Sequence, residues 1–239
     1  MDLTNSWLAI VFWLFVLGII PLFVVTVIPY CLGCLNGAVI VSKFFLHDDV
    51  RNHGSGNAGL TNFYRTFGGP LTLVVILCDV LKAVIAVLIG AQVGAIFGVI
   101  SFLGDFGNNV EFAIILGKYW TATFCLLGHM FPCMFGFKGG KGILSGGTIA
   151  LMLDWRLALL VWGGFLVLTA LTRYVSLGST FAAAAFPVGT WLFVSHNPVI
   201  MCLAVFLGGL VLWMHRANIK RLLTGTENKL SFHKKEETK

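Results

Sequence analysis

Apolar residues in this chain fall in long, nearly unbroken blocks, and polar residues are gathered in the short gaps between them. The blocks cover 6–28, 30–46, 70–103, 110–135, 143–153, 155–170, 177–194 and 198–214. A helix that crosses a bilayer needs about 20 mostly apolar residues, so the pattern predicts an all-α, polytopic integral membrane protein. Several blocks are short and must draw on flanking Trp, Tyr and loop residues to cross. The block at 70–103 is too long for a simple pass and is expected to tilt or to end in a surface segment. From Leu3 through Ser42 no residue carries a formal charge, a stretch of 40 residues. As helix it would reach about 60 Å, twice the hydrocarbon core. One pass cannot absorb that length. The prediction is a seven-helix core that begins with 30–46. Block 6–28 then forms an additional N-terminal spanning helix, or lies partly on the surface and bends at Pro21 or Pro29. Met-Asp-Leu-Thr-Asn-Ser-Trp lacks the basic start of a cleavable signal. The expected organisation is an extra apolar segment over 1–29, one membrane domain over 30–232 and a charged tail over 233–239.

Composition sharpens this picture. Of 239 residues, 58% are apolar and only 11% charged, with a mean hydropathy of +0.91, whereas soluble domains carry about 25% charge. So little charge excludes a disordered chain, a secreted disulfide scaffold and a water-soluble enzyme. The six cysteines all lie in apolar blocks and read as small buried hydrophobes; Cys31-x-x-Cys34 has redox spacing but no thioredoxin-like surroundings. The net charge of +6 could suggest nucleic acid, but its placement argues against that partner. If the gaps around 47–66, 136–142 and 171–176 and the tail from 215 share one side, only Lys82, Lys118 and Arg156 of the 16 basic residues lie elsewhere. The positive-inside rule makes that side the cytoplasm.

Three segments on that side concentrate glycine, hydroxyl, amide and cationic groups. The first is Gly54-Ser55-Gly56-Asn57-Ala-Gly59-Leu-Thr61-Asn62-Phe-Tyr-Arg65. Its G-x-G-x-x-G follows no strand, so a dinucleotide fold is excluded. What remains is a loop whose glycines let backbone N–H groups converge on an anion, with Ser55, Asn57, Thr61 and Asn62 as neutral donors and Arg65 placed to grip phosphate. The second is Gly136-Phe-Lys138-Gly139-Gly140-Lys141-Gly142-Ile-Leu-Ser145. It lacks the residues of a Walker A motif, yet two lysines spaced by two glycines form a cationic cradle, and a helix starting near Ile143 would aim its positive end at a ligand. The third is His215-Arg216-Ala-Asn218-Ile-Lys220-Arg221, extended to Glu227. On a helix His215, Asn218 and Arg221 share one face. Glycine-rich gaps also serve as turns, and basic tails also hold topology; a two-phosphate site arises only if the segments act together.

Within the membrane, Asp79 and Lys82 stand at i, i+3, either neutralising one another or shaping the mouth of a site. His129 leads into the lysine loop as a ligand contact or as a hydrogen-bonded helix end. Arg173, Ser176 and Ser179 form a further polar cluster. His47, His53, His196 and His233 show no pairing that indicates a metal.

The three segments, in order, resemble the signature motifs of the bacterial membrane acyl-phosphate:glycerol-3-phosphate acyltransferases. Asp79-Val-Leu-Lys82, Gly128-His129 with Pro132, and Arg173-Tyr-Val-Ser176-Leu-Gly-Ser179 resemble secondary marks of that family. The resemblance runs from about Tyr30 to Phe232. It implies an inner-membrane enzyme of seven helices that transfers a fatty acyl group from acyl phosphate to the 1-hydroxyl of glycerol 3-phosphate. The products are lysophosphatidate and phosphate, in the first acylation of phospholipid synthesis, with no cofactor. It implies site roles for Ser55, Thr61, Arg65, Lys138, Lys141, Ser176, His215, Asn218 and Glu227. Three departures are an apolar extension at the start, an apparent insertion around 90–112, and bulkier residues at Leu60, Phe63 and Tyr64.

The chemistry of these residues agrees. Lys138, Lys141 and the loop of Gly54, Ser55, Gly56 and Asn57, supported by Gly139 and Gly140, are expected to hold the acyl phosphate head. Arg65, Asn218 and Arg216 or Lys220 are expected to hold glycerol 3-phosphate. Lys141, Asn218 and His215 are the candidate catalytic groups, and Ser176 and Glu227 complete the substrate contacts. No Cys or Ser-His dyad is spaced for an acyl-enzyme, so direct transfer is expected, the proton leaving to a substrate phosphate oxygen or to His215. An acyl-CoA or acyl-carrier enzyme would carry Asp five positions after a His; the residues found there are Asn52, Ala58, Met134, Met201, Lys220 and Thr238. A transporter of phosphorylated solutes would show internal repeats and a midplane site.

Overall fold

The structure, a computed structural model, describes residues 12–13, 15–103 and 110–230. The start of the first apolar block, the gap at 104–109 inside the expected insertion, and the charged tail with His233 lie outside the described residues. Every regular element described is helical. Five helices are long and apolar enough to cross a membrane: Phe15–Cys34, Leu71–Ile100, Val110–Phe135, Trp155–Thr172 and Val175–Phe193. A sixth span results if Pro198–Met214 and Arg216–Leu223, bent by 60° at their junction, are counted together.

The chain divides into two compact units between Leu153 and Asp154. The first unit opens with a π-helical turn, Phe15–Ile19, leading into α1, Ile20–Cys34. Here the sequence expectation is corrected. The first two apolar blocks do not part at Pro21 or Pro29; α1 begins at Ile20 with Pro21 in its first turn and runs on past Pro29 to Cys34, so no separate pass forms over 30–46. In its place α2, Gly37–Phe45, is a 9-residue helix too short to cross. The cause is Asn36, whose extended backbone leaves the helix and whose side-chain oxygen accepts the Val39 N–H at 3.1 Å. Its carboxamide also donates to the Ala58 carbonyl at 3.0 Å. One buried amide, two residues past the end of α1, thus caps the next helix and anchors a loop, and a hydropathy scan averages it away.

The short α3, Leu60–Thr66, precedes α4, Leu71–Leu103. At 33 residues α4 is a single unbroken helix of about 50 Å, so the excess length is taken up by one continuous rod. It packs along α5, Val110–Met130. The two helices come close at Gly90 and Gly117, where a Cβ on either would run into the carbonyl oxygen of the other. Glycines at this crossing let backbones touch where lipid offers no hydrophobic drive. The unit ends with α6, Ile143–Leu153, which starts at the position expected.

In the second unit α7, Trp155–Thr172, is capped by Asp154, and α8, Val175–Phe193, returns against it. The turn between them rests on Arg173 in the left-handed region, φ +63°. Helix α9, Pro198–Met214, starts at an Asn197 cap and is followed by α10, Arg216–Leu223, which packs on α8.

Candidate active site

In the first unit the glycine-rich loop is organised from within. Asp49 opens a 3-10 turn, Val50–Asn52, by accepting the Arg51 N–H at 3.0 Å. Asn62 then gathers the loop: its carboxamide donates to the Val50 and His53 carbonyls at 3.0 and 3.1 Å and accepts the Ser55 N–H at 3.0 Å. Asn62, read from the sequence as a donor to ligand, therefore has both amide hydrogens committed to the loop. Gly54 has φ +56°, and a Cβ there would stand 2.4 Å from Asn62 Oδ1, so only glycine fits. The Gly56 N–H is turned back to the His53 carbonyl at 2.9 Å. Ser55 is exposed, Asn57 and Thr61 are half-buried, and Arg65 is exposed on α3.

The lysine loop follows a 3-10 turn, Cys133–Phe135, and reverses through Gly136 and Phe137, both left-handed. Gly139 and Gly140 were expected to face substrate; their N–H groups instead bind the Met130 and His129 carbonyls, each at 3.1 Å. A Cβ on Gly140 would stand 2.2 Å from His129 Nε2 and 2.9 Å from the Ala58 carbonyl oxygen. The glycines therefore press the loop onto α5 and the first loop, between an exposed Lys138 and a half-buried Lys141.

Beneath this loop lies the buried set Asp79, Lys82 and His129. The Lys82 ammonium donates to the Gly33 and Leu35 carbonyls at 3.3 and 3.1 Å and to His129 Nδ1 at 2.8 Å. Those three acceptors match its three hydrogens. Asp79 adds an ion-pair contact at 2.7 Å that is not a directed hydrogen bond. Because Nδ1 accepts, the His129 proton sits on Nε2, toward Gly140. The intramembrane pair thus does more than neutralise itself. It closes the open carbonyl end of α1, where a cation is favoured, and fixes His129 under the lysine loop.

The two loops are joined by Arg51. Its Nε and Nη2 grip the Asp49 carboxylate at 2.7 to 3.2 Å, while Nη1 donates to the Phe135 carbonyl at 2.7 Å and the Lys138 carbonyl at 3.3 Å. The guanidinium holds the Asp49 carboxyl well below the usual carboxylate range, and Asp49 in turn raises Arg51. The sequence showed Arg51 only as a topology charge; the one legible signal was its spacing of two from an Asp at a turn.

In the second unit the polar residues assemble around α10. His215 stands at the bend after α9, its Nδ1 donating to the Val211 carbonyl at 2.8 Å, which makes Nε2 the basic nitrogen of the neutral ring. Asn218 donates to Glu227 Oε1 at 3.1 Å, and Arg221 Nε meets Glu227 Oε2 at 2.7 Å. The segment after α10 folds back, with the Leu230 N–H on the Arg173 carbonyl at 2.7 Å and Lys229 over the Tyr174 ring. Ser176 lies one turn further on; its hydroxyl is buried without a hydrogen-bond partner among the described residues. Arg216 and Lys220 point the other way, on the exposed face of α10. Arg216 stacks over Trp213 at 4.2 Å and donates to its carbonyl at 3.0 Å. The unit therefore brings His215, Asn218 and Glu227 onto one side and leaves Arg216 and Lys220 on another.

Comparison with known proteins follows the same residues. Positions 23–225 match the family described as glycerol-3-phosphate acyltransferase. A glycerol-3-phosphate acyltransferase of Clostridioides difficile (strain 630) is 35% identical over 208 residues, covering 87% of this chain and 94% of that protein. The crystal structure of PlsY (YgiH), an integral membrane glycerol 3-phosphate acyltransferase, is similar in its glycerol 3-phosphate form with a TM-score of 0.71 at 31% identity, covering 88% of this chain and 96% of that one. Its lysophosphatidic acid form is similar with a TM-score of 0.68 at 30% identity, covering 88% and 95%.

Proposed function

The chain belongs to the glycerol-3-phosphate acyltransferase family, and from that premise we propose that it moves a fatty acyl group from acyl phosphate to the 1-hydroxyl of glycerol 3-phosphate. The hydroxyl oxygen bonds to the acyl carbonyl carbon, and the bond from that carbon to the phosphate oxygen breaks. The hydroxyl proton ends on the released phosphate, directly or through His215 Nε2. Lysophosphatidate and inorganic phosphate result, the first acylation of phospholipid synthesis. Acyl phosphate is already an activated anhydride, so positioning and charge stabilisation supply most of the rate.

The observation that carries this reading is the junction of the first two loops at Arg51. It draws the segment bearing Lys138 and Lys141 onto the segment bearing Ser55, Asn57 and Thr61, a cationic group of donors suited to a phosphoryl head. In the second unit, the Ser176 hydroxyl, without a hydrogen-bond partner among the described residues, and the Asn218 carboxamide held by Glu227 are suited to the acceptor substrate. Lys141, Asn218 and His215 are the catalytic groups in this proposal, with Arg65 on a substrate phosphate. Arg216 and Lys220 contribute charge from an exposed helix face. Further support comes from the glycerol 3-phosphate and lysophosphatidic acid forms of PlsY, the substrate and product that the reaction requires. The reading also places the protein in a bacterial inner membrane with its loops in the cytoplasm, where the basic residues gather.

The test offers detergent-purified protein glycerol 3-phosphate with palmitoyl phosphate, palmitoyl-CoA or acyl carrier protein. Lysophosphatidate and phosphate in equal amounts are expected with palmitoyl phosphate alone. Turnover with a thioester, or none with palmitoyl phosphate, overturns the choice of donor.

A further inference from the structure

Four features of the Arg51 site point beyond charge balance. First, the side chain is only 17% exposed although it sits in a loop. Second, its guanidinium is held from both sides, by the Asp49 carboxylate on one edge and by two main-chain carbonyls on the other. Third, those carbonyls belong to Phe135 and Lys138, and so bracket Gly136 and Phe137, the two consecutive left-handed residues that reverse the loop. Fourth, the Phe135 ring packs against the apolar cluster of Ala38, Val50, Ala58 and Phe63 and lies 5.9 Å from the guanidinium carbon. The far end of the loop is tied separately, through Gly139 and Gly140 to α5.

We infer that Arg51 is a positioning residue for acyl transfer, setting through the Phe135 and Lys138 carbonyls the conformation in which the lysine loop meets the acyl donor. It touches no substrate; it acts through Lys138 and Lys141, and Asp49 orients it. A lysine cannot replace it, because a single ammonium cannot grip a carboxylate and two carbonyls with the geometry of a planar fork. The inference rests on the assignment of the lysine loop to the acyl phosphate head.

The experiment measures steady-state kinetics of full-length Arg51→Lys, Arg51→Ala and Asp49→Asn in detergent, varying palmitoyl phosphate and glycerol 3-phosphate in turn. For both Arg51 variants the donor KM is expected to rise about tenfold or more, as for loss of charge-assisted bonds, while the acceptor KM changes by less than about twofold. Asp49→Asn should give a smaller rise of the same kind. A purely architectural role would instead lower the amount of active enzyme, reducing Vmax and leaving both KM values alone. That result, or equal rises for both substrates, overturns the inference. Should Arg51→Ala not be recovered folded, Arg51→Lys and Asp49→Asn decide. A double-mutant cycle adds an independent reading: in a Lys138→Ala background, Arg51→Lys should raise the donor KM far less than in the wild type, and full additivity contradicts action through the loop. The unmodified protein is assayed in parallel with palmitoyl-CoA. If that is the true donor, the proposed reaction fails by itself, whereas the Arg51 inference is then judged by the same criteria on the KM of the thioester.

Discussion

At the scale of single residues, the loops of the first unit are defined by what glycine permits and what a guanidinium holds. Gly140 lies so close to His129 Nε2 and the Ala58 carbonyl that no methyl fits between the buried imidazole and the backbone of the first loop. Gly140→Ala is therefore expected to lower turnover by about fivefold to a hundredfold, since roughly 1–3 kcal/mol of overpacking must be relieved by moving the loop. Gly146→Ala is its control: a Cβ there meets only Leu126 Cδ1 at 3.9 Å, and alanine favours a helix. Near-normal rates for both variants would remove the steric argument. Asp49 supplies a pH dependence of definite sign. Its carboxyl is depressed in the folded chain by the Arg51 bonds, so its stabilisation is complete above the unfolded value near 3.9 and fades as pH falls from there toward the folded value. Asp49→Asn should lower Tm in detergent by a constant amount between about pH 5 and pH 7, and the gap should narrow progressively as pH falls below about 4. A gap that does not narrow at all as pH falls from about 4 toward the depressed folded value would show that charge is not what binds Asp49 to Arg51. None of these pairings was legible in the sequence. Asp49 and Arg51 looked like ordinary loop charges because the Phe135 and Lys138 carbonyls that Arg51 joins lie on a distant segment, and Asn62 looked like a ligand donor because the curl of the loop around it follows from no regular spacing.

At the scale of elements, the informative feature is where the first helix stops. Hydropathy placed a boundary near Pro29, but a proline near a helix start, or one accommodated within a membrane helix, need not end it. The boundary belongs to Asn36, buried and bonded to Val39 N–H and the Ala58 carbonyl. Asn36→Ala strips a cap and leaves two buried groups unpaired, a loss of about 1–3 kcal/mol. It should appear as a lower Tm together with faster proteolysis of the loop after α2. Asn36→Ser keeps a hydroxyl oxygen to cap Val39 and gives up the bond to Ala58, so it should fall between. If Asn36→Ala melted like the wild type, the cap would carry no weight. Other elements were readable beforehand: α4 as one over-long apolar run, α6 from Ile143, and the hairpin of α7 and α8. Each follows from uniform apolar character, which is a property of the segment itself.

At the scale of the whole molecule, this is an integral multi-pass membrane protein built of helices, as its apolar blocks predict. The asymmetry of Lys and Arg among the short gaps predicts an orientation that labelling can test. In a cysteine-depleted variant, thiols introduced as Ser55→Cys and Asn228→Cys should react with an impermeant maleimide only after the membrane is opened, whereas Ser195→Cys should react in intact cells. Labelling of position 55 from outside would reverse the assignment. The sequence by itself determined the membrane class, the positions of most helices and the three polar segments. Those properties depend on the transfer of local stretches of chain between water and lipid. The tertiary structure alone decided that Arg51 joins loops 84 residues apart, that Lys82 closes α1 while holding His129, and that Gly139 and Gly140 brace their loop. Directed hydrogen bonds between remote segments exist only once the backbone has brought donor and acceptor within about 3 Å, and no spacing along the chain encodes that meeting.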